Sequence, residues 1–306
     1  MTTDRTYRIG TRDSALARYQ AKAVQELLTG RGVRTKIVEI ASDGDVDLIT
    51  PLYEMGIQGI FTKTLDIALL QNRIDLAVHS TKDVPTKQAK GLTLVALLKR
   101  ATPFDCLVLP NGSKHQELPP SGIIGTSSLR RKLQWLNKYP DYQTENLRGN
   151  IQTRLKKLDE SGWQGAIFAQ AALERLEVSS HQYITLDWML PSPAQGAIGV
   201  VCREDDPEVL ELCRSINHSE TELCITAERD FLAALQGGCA VPIAAFAQIQ
   251  GDTLHFRGNI MSLDAKAKIE VEKEFSLELA GKSGQLAAEE IRSRGADQLI
   301  KTFRTA

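Results

Sequence analysis

Apolar residues in this chain fall into two alternating patterns. Short, largely apolar runs occur at residues 76–78, 92–98, 106–109, 123–124, 165–169 and 196–202, most of them closed by polar or small residues, and residues 7–9 and 35–40, which include Arg8, Lys36 and Glu39, also read as short strands. Runs of this kind mark strands buried on both faces, as in a parallel sheet. Between them lie stretches with helical spacing. Leu16, Val24, Leu27 and Leu28 share one face over residues 15–28, and Gly30 closes the stretch. Residues 65–70 and the segment running to Leu136 also read as helices. Strand, small-residue turn and helix in repetition predict an α/β architecture.

The pattern changes at Ser219. Ser219-Glu220-Thr221-Glu222 has the form of a capping box. It opens a helix with Leu223, Ala227, Phe231 and Leu235 on one face. Residues 243–250 and 253–260 flank Gly251-Asp252, a hairpin signal, and residues 268–275 alternate as a third strand. One last helix is expected over residues 285–303. This predicts a separate, smaller α+β domain.

Two segments of the α/β part echo each other. Ile9-Gly10-Thr11 and Ile124-Gly125-Thr126 each lead through small polar residues into a helix carrying arginine. The echo suggests two α/β domains of similar plan. Pro191 and Pro193 mark a break, after which residues 196–202 are expected to cross back as a further strand of the first domain. The expected division is 1–98 plus 195–215, 102–190, and 219–306.

The stretch that organises the chain is Asp75 to Pro85, DLAVHSTKDVP. Its apolar run breaks into His79, Ser80, Thr81, Lys82 and Asp83, and Pro85 prevents continuation. A buried strand that opens into a polar turn puts side chains at the carboxyl edge of a sheet, where open α/β sheets bind ligands. Alone, Lys82-Asp83 reads better as a surface turn with an incidental ion pair. The cations elsewhere change the balance. Arg12, Lys82, Arg130, Arg131, Arg148, Arg154 and Arg175 fall at predicted strand ends or in the turns and helix starts that follow. Any one of these arginines could be part of a solvated helix face. The set, with the hydroxyls of Thr126, Ser127 and Ser128, predicts a cleft for a polyanion, because guanidinium groups hold carboxylate or phosphate through paired donors. Asp83 would be an ionised carboxylate among them, able to stabilise developing positive charge or take a proton. Gly237-Gly238-Cys239-Ala240-Val241-Pro242 places a thiol on a side-chain-poor loop. Two readings stay open for it, a packed thiol and a point of covalent attachment.

Composition narrows the classes. The chain has 306 residues, 42% of them hydrophobic and 25% charged, enough for two or three ordinary domains. A net charge of −1 provides no global field toward nucleic acid or anionic lipid. No apolar leader and no apolar run of membrane-spanning length is present, so a cytoplasmic protein is expected. The five cysteines form no C-x-x-C pair, which argues against a disulfide framework and against a zinc site. Cys106, Cys202, Cys213 and Cys224 are expected to be buried small hydrophobes.

Three motifs in order, HSTKDVP (79–85), GTSSLRR (125–131) with LRGN (147–150), and GGCAVP (237–242), resemble the porphobilinogen deaminase family; NHSETELCITAER (217–229) is similar as well. The resemblance runs over nearly the whole chain. It implies two periplasmic-binding-protein-like doubly wound domains plus a smaller α+β domain with a three-stranded antiparallel sheet. It implies an enzyme that joins four porphobilinogen units head to tail with release of ammonia, giving the linear tetrapyrrole hydroxymethylbilane of porphyrin and heme biosynthesis. It further implies a dipyrromethane cofactor held by a thioether to Cys239, and Asp83 as the catalytic carboxylate. Arg12, Ser14, Ser80, Lys82, Thr126, Ser127, Ser128, Arg130, Arg131, Arg148, Arg154 and Arg175 would hold the acetate and propionate side chains of cofactor and substrate. No metal is implied, no nucleic-acid or membrane partner, and a monomer is expected. Loss of ammonia leaves a cationic azafulvene, which a carboxylate would stabilise.

The chain departs from the family pattern at a few places. Glu54 and Gln58 stand where the loop before Phe61 usually carries lysines, which predicts altered lid behaviour or weaker substrate affinity. Lys63-Thr64-Leu65 replaces Lys-Glu-Leu, and Ala194 replaces a glycine. Two other functions use some of the same residues. A non-catalytic two-domain receptor for a dicarboxylate or phosphate would use the arginines but leaves Gly-Gly-Cys without a role. A cysteine hydrolase would need His218 or His255 as its base, and neither has a supporting context.

Overall fold

The computed structural model describes residues 5–41, 62–113, 118–235 and 241–305. Cys239 with its two glycines, the segment 55–61, and Glu54 and Gln58 lie outside them. Contacts between backbone positions divide the chain into two compact units.

The first unit takes in described residues 5–41, 62–101 and 196–222. Its strands are β1 (Tyr7–Thr11), β2 (Thr35–Glu39), β3 (Leu76–Ser80), β4 (Leu92–Leu97) and β10 (Ile198–Arg203), in the order β2-β1-β3-β10-β4. β1 runs parallel to β2 and β3. β10 enters antiparallel between β3 and β4, as expected for a returning segment. Helices α1 (Ala15–Thr29) and α6 (Pro207–Arg214) cover one face and α2 (Lys63–Leu70) the other. The strand residues sort accordingly. Leu76 and Val78 pack with Val24 and Leu28 of α1, while Ala77 packs with Leu65 and Leu69 of α2. Burial on both faces explains why these strands read as continuous apolar runs.

An ionic cluster sits at the start of β3. Asp75, 2% exposed, accepts from the Arg8 backbone N at 2.7 Å, from Arg8 Nε at 3.0 Å and Nη2 at 2.9 Å, and from Arg5 Nη2 at 3.0 Å. Arg203, mostly buried, donates to the carbonyls of Leu69 and Ile74 and to Asp206. Burial alone would push the Asp75 carboxyl up, but the Arg8 hydrogen bonds and charge outweigh it and hold it at about 2.

The second unit takes in described residues 102–113, 118–195, 223–235 and 241–305. Its larger sheet has the order β7-β6-β8-β5-β9, made of β5 (Asp105–Val108), β6 (Gly122–Gly125), β7 (Tyr142–Glu145), β8 (Gly165–Ala169) and β9 (Tyr183–Leu186). Helices α3 (Leu129–Lys138), α4 (Ile151–Glu160) and α5 (Gln170–Arg175) accompany it. A smaller antiparallel sheet joins β11 (Ile243–Gln250), β12 (Thr253–Met261) and β13 (Lys268–Ser276) in chain order. Phe231 of α7 (Ser219–Ala234), Phe256 of β12 and Ile291 of α8 (Ala280–Ser293) meet in its core. Gly284 lets α8 lie against α7, since a Cβ there would come within 2.1 Å of the Ala227 carbonyl oxygen. The chain therefore forms the α/β architecture with an added three-stranded antiparallel sheet that the sequence predicts.

Local details differ from expectation. α7 begins at Ser219, so Ser219 is not its cap. His218 holds that position: its carbonyl accepts from Glu222 N, and its Nδ1 accepts from Thr221 N at 3.2 Å. The C-terminal segment is two helices, α8 and α9 (Ala296–Thr305), because Gly295 takes a left-handed φ of +99° and ends the first. β7, β9, α4, α5 and α6 are not among the elements the sequence reading predicts. β7 and β9 are short and mostly exposed, with no run to mark them, whereas α6 carries a legible signal, an Asp206 cap, Pro207 at its start and Val209 and Cys213 on its buried face. Ala194, where the family usually has glycine, sits at φ +64° with 1% exposure. Its N–H donates to Glu228 Oε2 at 2.6 Å, and Glu228 Oε1 accepts from Ala247 N at 2.7 Å. Among the described residues no helix is long and apolar enough to cross a membrane.

The Asp75 cluster sets a pH signature. The folded pKa lies below the unfolded one, so its stabilisation is complete above about pH 5 and is lost as pH falls from about 4 toward 2, a contribution of about 2 to 3 kcal/mol. Urea midpoints of wild type and Asp75→Asn should differ at pH 7 and converge by pH 2; a constant difference contradicts the assignment. Ala194→Gly should raise the thermal midpoint slightly, since the left-handed conformation costs an L-residue about 1 to 2 kcal/mol and the added chain entropy returns only part of that.

Candidate active site

In the first unit the predicted residues gather at the carboxyl ends of β1 and β3. Arg12 follows β1 directly, and Ser14 caps α1, its side chain accepting from Ala17 N at 3.3 Å. Thr11 Oγ1, fully buried, donates to the Ala17 carbonyl and ties the strand end to the helix. Ser80 ends β3, and its hydroxyl accepts from Gln20 Nε2 at 2.8 Å. Residues Thr81 to Asp83 then form one 3-10 turn. Thr81 is buried and fixes that turn through its N and Oγ1, both on the Ala197 carbonyl at 3.1 Å. Lys82 and Asp83 are half-buried on it. Among the described residues, no hydrogen bond or ion pair takes up the Asp83 carboxylate, so its oxygens remain available to a ligand.

In the second unit the residues gather around β6, β7 and the start of α3. Thr126 is buried, its N donating to the Glu145 carbonyl at 2.8 Å. Ser127 Oγ accepts from Leu147 N at 2.8 Å and so holds the Leu147-Arg148-Gly149-Asn150 turn beside α3. Ser128 caps α3 through Arg131 N. A cavity of about 280 Å³ opens at this helix start, with Thr126, Ser127, Ser128, Lys132, Glu145 and Asn146 among its lining. A helix start lined by hydroxyls and followed by a lysine suits an anionic group. Arg148 lies in the turn, and Arg154 in the first part of α4, its Nε donating to the Gly149 carbonyl. Arg175 is the last residue of α5, a helix end rather than a helix start.

Two of the arginines also serve the fold. Arg130 Nε donates to the Ile243 carbonyl at 2.7 Å and ties α3 to the small sheet. Arg131 donates to the Ile167 carbonyl at 2.9 Å and to Asp105 Oδ1 at 2.7 Å, and Gln195 Nε2 donates to the same oxygen at 2.7 Å. Sequence reasoning singled out none of Gln20, Asp105, Lys132 and Gln195. Asp105 alone offered a signal, an acid at the head of an apolar strand. Cys106, Cys202, Cys213 and Cys224 are buried, and burial pushes the Cys106 thiol up to about 12. Those thiols are packing groups, which fits their apolar sequence contexts. Among the described residues no cluster of three or more His, Cys, Asp or Glu side chains could hold a metal.

The family model described as "Porphobilinogen deaminase, dipyromethane cofactor binding domain" matches residues 7–211, and "Porphobilinogen deaminase, C-terminal domain" matches residues 222–293. A curated relative from Carboxydothermus hydrogenoformans named porphobilinogen deaminase is 42% identical over 300 residues, 97% of this chain and 96% of that protein. One of the same name from Desulforamulus reducens is 41% identical, covering 97% of both. Among solved structures, an ancestral cationic amino acid solute binding protein aligns over 69% of this chain and 87% of its own, at 13% identity and a TM-score of 0.42.

The buried Arg131–Asp105 pair allows a direct test. Asp105→Ala should cost about 3 to 5 kcal/mol, because it leaves a guanidinium buried and uncompensated. Asp105→Leu with Arg131→Met should recover much of that loss, and denaturant unfolding of single and double variants checks the coupling.

Proposed function

The chain belongs to the porphobilinogen deaminase family, and from that premise we propose that it is a hydroxymethylbilane synthase whose working residues are those at the two strand edges. Each round breaks the C–N bond of one aminomethyl group, forms one C–C bond to a free pyrrole α-carbon and releases one ammonia, which carries away the proton lost from that carbon. Four rounds add four rings, and water then cleaves the bond to the starting pyrrole, its hydroxyl going to the released chain's terminal methylene and its proton to the starting α-carbon, which frees the linear tetrapyrrole.

The observation that carries this reading is Asp83, a carboxylate without a partner among the described residues, on a braced turn beside Lys82 and near the strand end that leads to Arg12. As ammonia departs, positive charge spreads over the pyrrole ring. Asp83 lowers the energy of that cation and accepts the pyrrole N–H, an electrostatic role suited to a fixed group outside bulk water. Arg12, Lys82, Arg130, Arg131, Arg148, Arg154 and Arg175 hold acetate and propionate groups, and Ser14, Ser80, Thr126, Ser127 and Ser128 add hydroxyl or backbone donors. Each pyrrole brings two carboxylates, so a growing chain needs a distributed set of cations of this kind.

The same donor set suits a dipyrromethane. When bound, that group supplies the free α-carbon from which the chain grows. Cys239, in the loop before β11, is the residue whose thiolate would anchor it by a thioether. We assign the three-domain division of residues 1–98 plus 195–215, 102–190 and 219–306 to this function, in a cytoplasmic monomer. The histidines a hydrolase would need are engaged otherwise: His218 caps α7, and His255 faces Glu274 at 3.2 Å.

Intact-mass analysis of freshly purified active protein should show the bare chain plus a dipyrromethane, and Cys239→Ser should lack the increment. Bare mass in active protein rules the anchor out. Asp83→Asn should retain fold and adduct and lose at least about 100-fold in turnover, or roughly 3 kcal/mol of transition-state stabilisation. A protein that binds porphobilinogen and releases no ammonia would be a receptor.

A further inference from the structure

In the 79–83 turn sequence Ser80, Lys82 and Asp83 serve the reaction proposed above and Thr81 braces the turn, which leaves His79 with neither task. Its placement follows from the alternation of β3. Leu76 and Val78 face α1, whereas Ala77 faces α2, and His79 continues the Ala77 face. The parallel register pairs Gly10 with Ala77. Extending that register by two residues brings Arg12, the residue after β1, toward His79 at the carboxyl edge, and the Arg12 charge is felt by the His79 ring. On its other side His79 pairs with Gly199, which has no side chain to offer.

The imidazole is 5% exposed, and its Nε2 is buried with no hydrogen-bond partner among the described residues. A buried polar atom left unpaired costs about 1 to 3 kcal/mol. Ser80, the next residue, has its hydroxyl engaged by Gln20. Thr64 Oγ1, on the helix that covers this face, is a second buried atom without a partner. Two buried polar atoms on this side of the sheet thus keep hydrogen-bonding capacity that no described residue uses.

We propose that His79 donates its Nε2–H to an oxygen of the substrate carboxylate that Arg12 holds, and so acts as a binding residue of an acid-side-chain subsite next to Asp83. The inference rests on the activity proposed above. A neutral imidazole suits the task, since it brings a donor without a second positive charge beside the guanidinium. Burial, and after it the Arg12 charge, lower the His79 pKa to about 4, so the ring stays neutral through the physiological range.

The test compares wild-type holoenzyme with His79→Phe and His79→Gln. Loss of a hydrogen bond to a charged group should raise KM for porphobilinogen about 10-fold or more in His79→Phe, with kcat within about twofold. His79→Gln, whose amide can donate from a similar position, should restore KM to within about threefold of wild type. The second readout is the ring 15N spectrum of histidine-labelled wild-type holoenzyme at pH 7. It should show a neutral ring protonated on Nε2, and that resonance should shift on adding porphobilinogen. Wild-type KM in His79→Phe, or an Nε2 resonance indifferent to substrate, overturns the subsite. If His79→Phe fails to fold, His79→Gln and the wild-type spectrum decide. Wild-type protein that does not consume porphobilinogen overturns the activity instead, which keeps the two failures apart.

Discussion

Burial of parallel strands on both faces is the constraint from which the site follows. The apolar side chains inside β1 and β3 pack against helices: Ile9 and Leu76 are fully buried, and Val78 is 2% exposed. Arg8, near the amino end of β1, is matched by Asp75. The other polar groups gather where the strands stop, and there the backbone turns away and leaves N–H groups and helix starts unfilled. Arg12, Ser14, Ser80, Lys82 and Asp83 occupy such ends in one unit. Thr126, Ser127 and Ser128 occupy them in the other. The sheet thus determines both what can be buried and where reactive side chains must lie.

Rigidity at those ends comes from short hydrogen bonds made by residues that do no chemistry. Thr81 anchors the turn that presents Lys82 and Asp83 by bonding twice to the Ala197 carbonyl. That carbonyl belongs to the returning segment just before β10, so the crossover that completes the first sheet also braces the turn carrying the carboxylate. Ser127 does the corresponding work for the Leu147-Arg148-Gly149-Asn150 turn. Preorganisation of this kind matters for a reaction whose main demand on the protein is electrostatic, because a carboxylate already in place need not reorganise as charge develops.

Arginine plays two parts that sequence alone does not separate. Arg131 and Arg130 sit one after the other at the start of α3, and both are bonded to the protein itself, Arg131 to Asp105 and Arg130 to the Ile243 carbonyl. A guanidinium has five donors, so a structural bond leaves others for a ligand. Ala194 offers a related case. A backbone conformation suited to glycine is held there by the Glu228 carboxylate, which accepts the Ala194 N–H and bridges to β11.

The residues by themselves determined the architecture and the chemical inventory. Unbroken apolar runs at β3, β8 and β10, helical spacing in α1, and the alternation around Gly251-Asp252 are local patterns, and local patterns are what a chain displays directly. The carboxylate, the cations and the GGCAVP thiol were legible for the same reason. The tertiary structure decided what depends on partners distant in sequence. Asp75 is held ionised by Arg5 and Arg8, about seventy positions away, Arg131 is claimed by Asp105, and His79, paired across the sheet with Gly199, keeps an Nε2 without a partner among the described residues. The end of α8 at Gly295 and the cap at His218 are likewise set by the fold, since several φ values and more than one capping residue are compatible with those sequences. Side-chain pairing is a property of the fold, and no spacing along the chain encodes it.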